Sequence, residues 1–217
     1  NNEKLIGFFG RAQYNFKSKY YLSASLRRDG SSKFGKNNKW GWFPTVSASW
    51  NMQDENFLQN VTWLDQLKLR ASYGVSGNQA FPSGYSQVSY VPTGLATNPE
   101  TGEQVVTFEA ARNENPDLKW EKTAEINLGV DFAFLRSKIS GSLEVYQKNT
   151  TDLIYPKQVS QEANLARRTY TNAGDITNKG IELYIQGHVL NKSNINYKTS
   201  LTVAHNKSNW NELASNN

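Results

Sequence analysis

Four carboxylates, Glu125, Asp131, Glu144 and Glu182, recur in the sequence with apolar residues on either side. Two acids at a suitable separation could split a glycosidic bond, one protonating the leaving oxygen and the other serving as base or nucleophile. Nothing in their spacing pairs any two of them. His188 and His205 stand alone, without a neighbouring nucleophile or a cluster of metal donors. Asp175 to Glu182 lacks the ligand spacing of a calcium loop, and no glycine-rich loop precedes the Lys and Ser or Thr that would cradle phosphate. No enzyme, metal site or cofactor is expected. Binding chemistry remains. Arg27, Arg28, Asp29 and Lys33 could contact a polar ligand or a covering protein, and Trp120 could stack on a sugar ring. Each has a plainer reading, since loop charge is usually solvated and Trp40, Trp42, Trp50, Trp63 and Trp120 fall near strand ends, where membrane-interface rings sit.

The elements that carry these residues alternate apolar with polar in segments of about ten residues. Ile6, Phe8, Gly10, Ala12, Tyr14 and Phe16 share one face of a first strand, with Gly7, Phe9, Arg11, Gln13 and Asn15 on the other. A tight turn at Lys17 to Lys19 leads to a second strand, and the loop from Asp29 to Lys39 leads to a third, Trp40 to Met52. From Asp54 to Leu64 the period changes, with Phe57, Leu58, Val61 and Leu64 at helix-like spacing, so a short helical turn is expected. In the fourth strand Leu67, Leu69, Ala71, Tyr73 and Val75 oppose Lys68 and Arg70, cations that a lipid face would not accept. The polar stretch from Gly77 to Lys119 should hold small strands near Gln87 to Val91 and Val105 to Phe108. Strands five to eight follow at Trp120 to Phe134, from Ile139, around Ile181 to Val189 and from Tyr197, with tight turns at Leu135 to Ser137 and Asn191 to Asn194 and a long loop from Asn149 to Thr177. Arg11, Lys68, Arg70, Glu125, Asp131, Glu144 and Glu182 all fall on polar faces, where cross-strand ion pairs are expected.

Composition fits this pattern. No run approaches the roughly 18 apolar residues of a spanning helix, and mean hydropathy is −0.68, yet alternation can hide a membrane strand. The six Trp, eleven Tyr and ten Phe suit rings at two interfaces. Absent cysteine removes disulfides and thiolate metal sites. The net charge of +5 is spread over turns and loops rather than gathered on one face, so nucleic acid is not an expected partner.

Read in order, Ser25-Leu-Arg-Arg-Asp-Gly-Ser-Ser-Lys-Phe-Gly35, Trp42-Phe-Pro-Thr-Val-Ser-Ala-Ser-Trp50, Leu67-Lys-Leu-Arg-Ala-Ser-Tyr-Gly-Val-Ser-Gly-Asn-Gln79, Asn115-Pro-Asp-Leu-Lys-Trp-Glu121 and Asn178-Lys-Gly-Ile-Glu-Leu183 give the chain its character. In this ordered set it resembles the SusC/RagA-like TonB-linked (TonB-dependent) outer-membrane transporters of Bacteroidetes. The resemblance implies an all-β, antiparallel transmembrane barrel in the outer membrane. It further implies import of glycan or peptide fragments, energy relayed through TonB, and a SusD-like surface lipoprotein as lid. Such barrels have about 22 strands around a plug, so residues 1–217 read as a partial barrel domain of about eight strands in contact with outer-membrane lipid. No plug domain is recognisable, the opening residues do not read as a signal peptide, and an internal fragment is expected. Two other readings stay open. One is a soluble carbohydrate-binding β-sandwich, the other a self-contained small barrel acting as adhesin or anchor.

Overall fold

In the computed structural model, which describes residues 3–192 and 194–212, the alternating segments pair into one antiparallel sheet of eight strands. Its strands are β1 (Leu5–Phe16), β2 (Tyr20–Ser31), β3 (Trp40–Asn51), β4 (Leu64–Asn78), β7 (Glu121–Phe134), β8 (Ile139–Thr151), β11 (Asp175–Lys192) and β12 (Ile195–Glu212), each beside the next. The loops carry two hairpins, β5 (Ser89–Thr97) with β6 (Gln104–Arg112), and β9 (Ile154–Gln158) with β10 (Arg168–Asn172). β1 and β12 stand at opposite edges. The described strands therefore form one open wall. They are neither two facing sheets, as a sandwich requires, nor a small barrel closed on itself. The expected turn at Asn191 to Asn194 includes position 193, which lies outside the described residues, as does the Asn-rich sequence after 212.

Register follows the side-chain period, because directly opposed residues share a face. One row runs Tyr20, Trp50, Leu69, Val130, Leu143, Leu183, Val203 across seven strands. The row above it runs Leu22, Ala48, Ala71, Leu128, Val145, Ile181, His205. Between these rows, on the opposite face, lie Tyr21, Ser49, Arg70, Gly129, Glu144, Glu182 and Ala204. The apolar rows are open to their surroundings: Leu128 is 51% and Leu201 59% exposed. A soluble protein rarely shows an apolar patch above a few hundred Å². A whole apolar sheet face instead matches hydrocarbon as its solvent. Full burial is scarce and lies largely under the loops, at Phe34, Phe43, Leu118 and Trp120.

The turns close by local chemistry. Lys17 and Ser18 both have positive φ (53° and 56°), and the Lys19 N–H donates to the Phe16 carbonyl at 3.1 Å, a type I′ turn matched to strand twist. Leu135, Arg136 and Ser137 are three consecutive left-handed residues, at a cost of about 1 kcal/mol each. Partners outside the hairpin hold them: the Leu135 N–H donates to the Trp63 carbonyl (2.8 Å) and the Ser137 N–H to an Asp65 carboxylate oxygen (2.8 Å). The helical turn expected from Asp54 to Leu64 is not formed. After a 3-10 turn at Met52–Asp54 the chain makes successive four-residue turns, with Leu58, Val61 and Leu64 N–H groups donating to the carbonyls of Glu55, Leu58 and Val61. These turns repeat every three residues, which imitates helical spacing without a helix.

Glu55 ties this connection to the first hairpin. It accepts from the Tyr20 hydroxyl at 2.7 Å, Lys19 Nζ at 3.1 Å and Trp50 Nε1 at 3.2 Å. Those bonds, led by the one from Tyr20, hold its carboxyl below the ordinary value of 4.5. A depressed native pKa stabilises fully above the unfolded value and is lost as pH falls through the native one. Protection of the Lys19 and Asn51 amides, relative to the intrinsic exchange rate at each pH, should therefore hold down to about pH 4.5 and fall below it. Glu55→Gln should remove that acid dependence, and a flat wild-type profile from neutral pH to below 4 would refute the assignment.

Candidate functional site

Three long connections leave the same end of the wall, after β2, β4 and β8, and pack into one body. Glycine makes the central approach possible. A Cβ on Gly35 would lie 2.0 Å from the Pro116 carbonyl oxygen, and the bare backbone instead lets the Gly35 N–H donate to the Leu118 carbonyl at 2.9 Å. Asn37 Nδ2 then donates to Asp117 Oδ1 (2.8 Å), Asn38 Nδ2 to the Asp117 carbonyl (3.0 Å), and Trp120 Nε1 to the Lys39 carbonyl (3.1 Å). Phe34 lies 4.4 Å and Phe43 5.2 Å from Trp120, ring centre to ring centre. On the far side Asn113 Nδ2 donates to the Ala166 carbonyl, Asn115 Nδ2 to that of Tyr170, and Asn172 Nδ2 to those of Lys119 and Asp152. Tyr85 and Tyr170 stack at 3.8 Å. Two of the sequence motifs, ending at Gly35 and beginning at Asn115, are thus each other's packing partners.

The residues singled out from sequence separate. Arg27 and Asp29 lie on the polar face, where Arg27 Nε donates to both carboxylate oxygens at 2.8 and 2.7 Å. Arg28 points to the opposite, apolar face, between Trp40 and Trp42. Lys33 turns inward, its Nζ donating to the carbonyls of Gln79 (3.2 Å) and Phe81 (2.9 Å) and pairing with Glu3 at 3.3 Å. Trp120 is 3% exposed and both its ring and its N–H are engaged by protein. The sequence does not reveal the second hairpin of this body, β9 with β10, or the role of Asn113. Asn113 is buried, and besides its bond to Ala166 it receives the Ala166 N–H on Oδ1 at 2.9 Å.

On the polar face of the wall, Arg70 spans three strands. Its Nε and Nη2 donate to the two oxygens of Asp131, and Nη2 also reaches Glu144, all at 2.8 Å. Gly129 stands between them in the register and leaves the room: a Cβ there would be 3.0 Å from Nη2. Lys148 pairs with Glu125 at 3.5 Å. Arg11, Lys68 and Glu182 form no ion pair among the described residues. A polar concavity of about 670 Å³ opens here, lined by Gln13, Ser23, Ser47, Lys68, Arg70 and Asn127 among others. A more apolar hollow of about 600 Å³ is lined largely by outward residues such as Leu22, Ala48, Leu69 and Leu128, so it is a groove for hydrocarbon rather than a ligand site. The His188 ring lies 3.1 Å from Gln186 Nε2, and His205 lies on the apolar face opposite Ile181.

A wall with one apolar and one polar face, its loop body at one end and tight turns beside the β3–β4 connection at the other, matches the family model described as TonB dependent receptor-like, beta-barrel, over residues 1–216. The chain belongs to the TonB-dependent receptor β-barrel family. Its relatives include TonB-dependent receptor P39 of Formosa agariphila, 35% identical over 97% of this chain and 20% of that protein. Another is TonB-dependent receptor SusC of Bacteroides thetaiotaomicron, 34% identical over 83% of this chain and 18% of that protein. The chain thus spans about a fifth of the length of these relatives. Among solved structures, the RagAB peptide importer in its open-open state covers 99% of this chain and 23% of its own, at TM-score 0.87 and 26% identity. The siderophore receptor PirA of Pseudomonas aeruginosa, at TM-score 0.57 and 17% identity, shares the fold alone. The wall therefore stands in the outer membrane, apolar face to lipid and polar face to the lumen. In such barrels the short turns are periplasmic and the long loops extracellular.

Proposed function

We propose that this wall is part of a TonB-dependent transporter that imports oligosaccharide or peptide fragments, with a SusD-like lipoprotein as its lid. Energy would come from TonB acting through a plug outside this chain. The single observation that carries the reading is the superposition of 99% of the chain on a peptide importer at TM-score 0.87; the relative named SusC points the same way. The mechanism is non-covalent. Polar substrate descends past the inward face, where Arg27 beside Asp29 and the concavity around Arg70 offer hydrogen bonds, while Lys33 and Trp120 hold the loops that shape the entrance.

The β5–β6 hairpin supplies a surface for the lid. Tyr90, Leu95, Val106 and Phe108 are all more than half exposed, and the register sets Leu95 against Val106 and Phe108 against Pro92. Exposed apolar residues on an extracellular ribbon have no lipid to cover them, so a protein partner is their natural cover. Phe108→Glu in the complete receptor should abolish co-purification of the surface lipoprotein and cut uptake of labelled oligopeptide or oligosaccharide at least tenfold. Glu109→Gln should change neither. Undiminished co-purification with Phe108→Glu would rule out the hairpin as docking surface. Deletion of the receptor with no loss of growth on either nutrient class would rule out import.

A further inference from the structure

Through residues 5–16, 20–30, 40–51, 67–75, 124–134, 139–149, 177–187 and 197–209, register and alternation place Arg28, Lys179 and Lys207 outward, with His205 beside them. No carboxylate faces outward in these segments, whereas Asp29, Glu125, Asp131, Glu144 and Glu182 face the lumen. All three cations lie toward the loop end of the wall, Arg28 in one row with Phe8 and Trp42. Lys179 and Lys207 are directly opposed across β11 and β12, an arrangement that repels unless an anion sits between them.

Arg28 has the most completely defined surroundings, because strands flank it on both sides. Phe8 opposes it on β1 and Trp42 on β3. Its guanidinium carbon lies 4.7 Å from the Trp40 ring centre and 5.0 Å from that of Trp42. Phe8 stacks on Trp40 at 6.2 Å. Gly30 makes the enclosure possible: lacking a side chain, it lets the Trp40 ring lie against β2, where a Cβ would approach within 2.9 Å. The guanidinium plane is thus braced by aromatic faces, and no carboxylate or hydrogen-bond acceptor among the described residues takes up its N–H donors. A rigid, forked, unpaired cation at the depth where indole rings mark the lipid headgroups matches the chemistry of a phosphate.

We propose that Arg28, held between Trp40 and Trp42, binds the phosphate-bearing headgroup of an outer-leaflet lipid. The proposal rests on the wall's place in the outer membrane and not on the cargo the transporter carries. The test uses the complete receptor in phosphatidylcholine nanodiscs doped with monophosphoryl lipid A, with the dephosphorylated lipid, or with neither lipid but inorganic phosphate in solution. Bound lipid is read by native mass spectrometry. Wild type should retain the phosphorylated lipid, and R28Q should weaken that retention about tenfold. R28K, which keeps the charge and loses the fork, should fall between them and decides the matter if R28Q fails to insert. Equal retention of the dephosphorylated lipid, or R28K and R28Q indistinguishable from wild type, would overturn the site. Displacement of the lipid by inorganic phosphate at millimolar concentration would overturn the lipid as its occupant. Uptake by R28Q separates this outcome from the import reading, which predicts transport at the wild-type rate.

Discussion

Gly35→Ala is expected to release the extracellular loops from one another while leaving the wall standing. The added methyl would fall 2.0 Å from the Pro116 oxygen and 2.3 Å from its carbon, both backbone atoms that no rotamer change can move. Separating the segments forfeits the bonds from Gly35 to Leu118, from Asn37 and Asn38 to Asp117, and from Trp120 to Lys39. Overpacking costs 1–3 kcal/mol and each lost bond about 1, so local destabilisation of about 3 kcal/mol or more is expected. Hydrogen exchange in residues 31–39 and 115–120 should rise by two orders of magnitude or so, while the β3 and β4 amides that pair lower in the wall stay protected. Gly10→Ala serves as control, since nothing lies within 4 Å of its Cβ position. Unchanged protection in Gly35→Ala would mean that the two motifs can part without loss, and the shared loop body would be refuted.

Arg70→Met should lower the thermal midpoint of the complete receptor. The substitution leaves Asp131 and Glu144 facing each other without the guanidinium that joins them. Hydrogen bonds to charged groups are worth about 1.5–3 kcal/mol. The three side chains are a quarter to a third exposed, and solvent screening reduces the expected loss to about 1–2 kcal/mol. Arg70→Lys should restore little, because an ammonium cannot serve both oxygens of Asp131 and reach Glu144 across Gly129. Adding Asp131→Asn and Glu144→Gln to Arg70→Met should recover most of the loss by removing the stranded charges. Identical melting of Arg70→Met and wild type would show the cluster to be inert.

Where lipid meets one face and water the other, the strands are legible in the sequence. Leu67 to Val75 and Ala124 to Phe132 alternate without a break, Ile6 to Phe16 does so but for Phe9, and all lie in the paired wall. Above the membrane that rule lapses because water bathes both faces. Asp175 to Thr177 therefore reads as the end of a loop although β11 already begins at Asp175, and the short β9, interrupted by Pro156, carries no period at all. The spacing of Phe57, Leu58, Val61 and Leu64 misleads because turns that recur every three residues mimic a helix face. The candidate site was less legible than the wall. Arg27, Arg28, Asp29 and Lys33 are near neighbours in sequence, yet strand alternation sends Arg28 to lipid and its neighbours to the lumen, and Lys33 turns back to carbonyls more than forty residues away. Such long-range partners depend on where loops cross, which no local pattern records.

The left-handed turn at Leu135–Ser137 is braced from the neighbouring connection rather than from its own hairpin. Its strain is offset by the Trp63 carbonyl and the Asp65 carboxylate, which belong to the β3–β4 connection and its bulged entry into β4. The bend of the β7–β8 hairpin and the entry into β4 are therefore fastened to each other, so a change that loosens one should loosen the other.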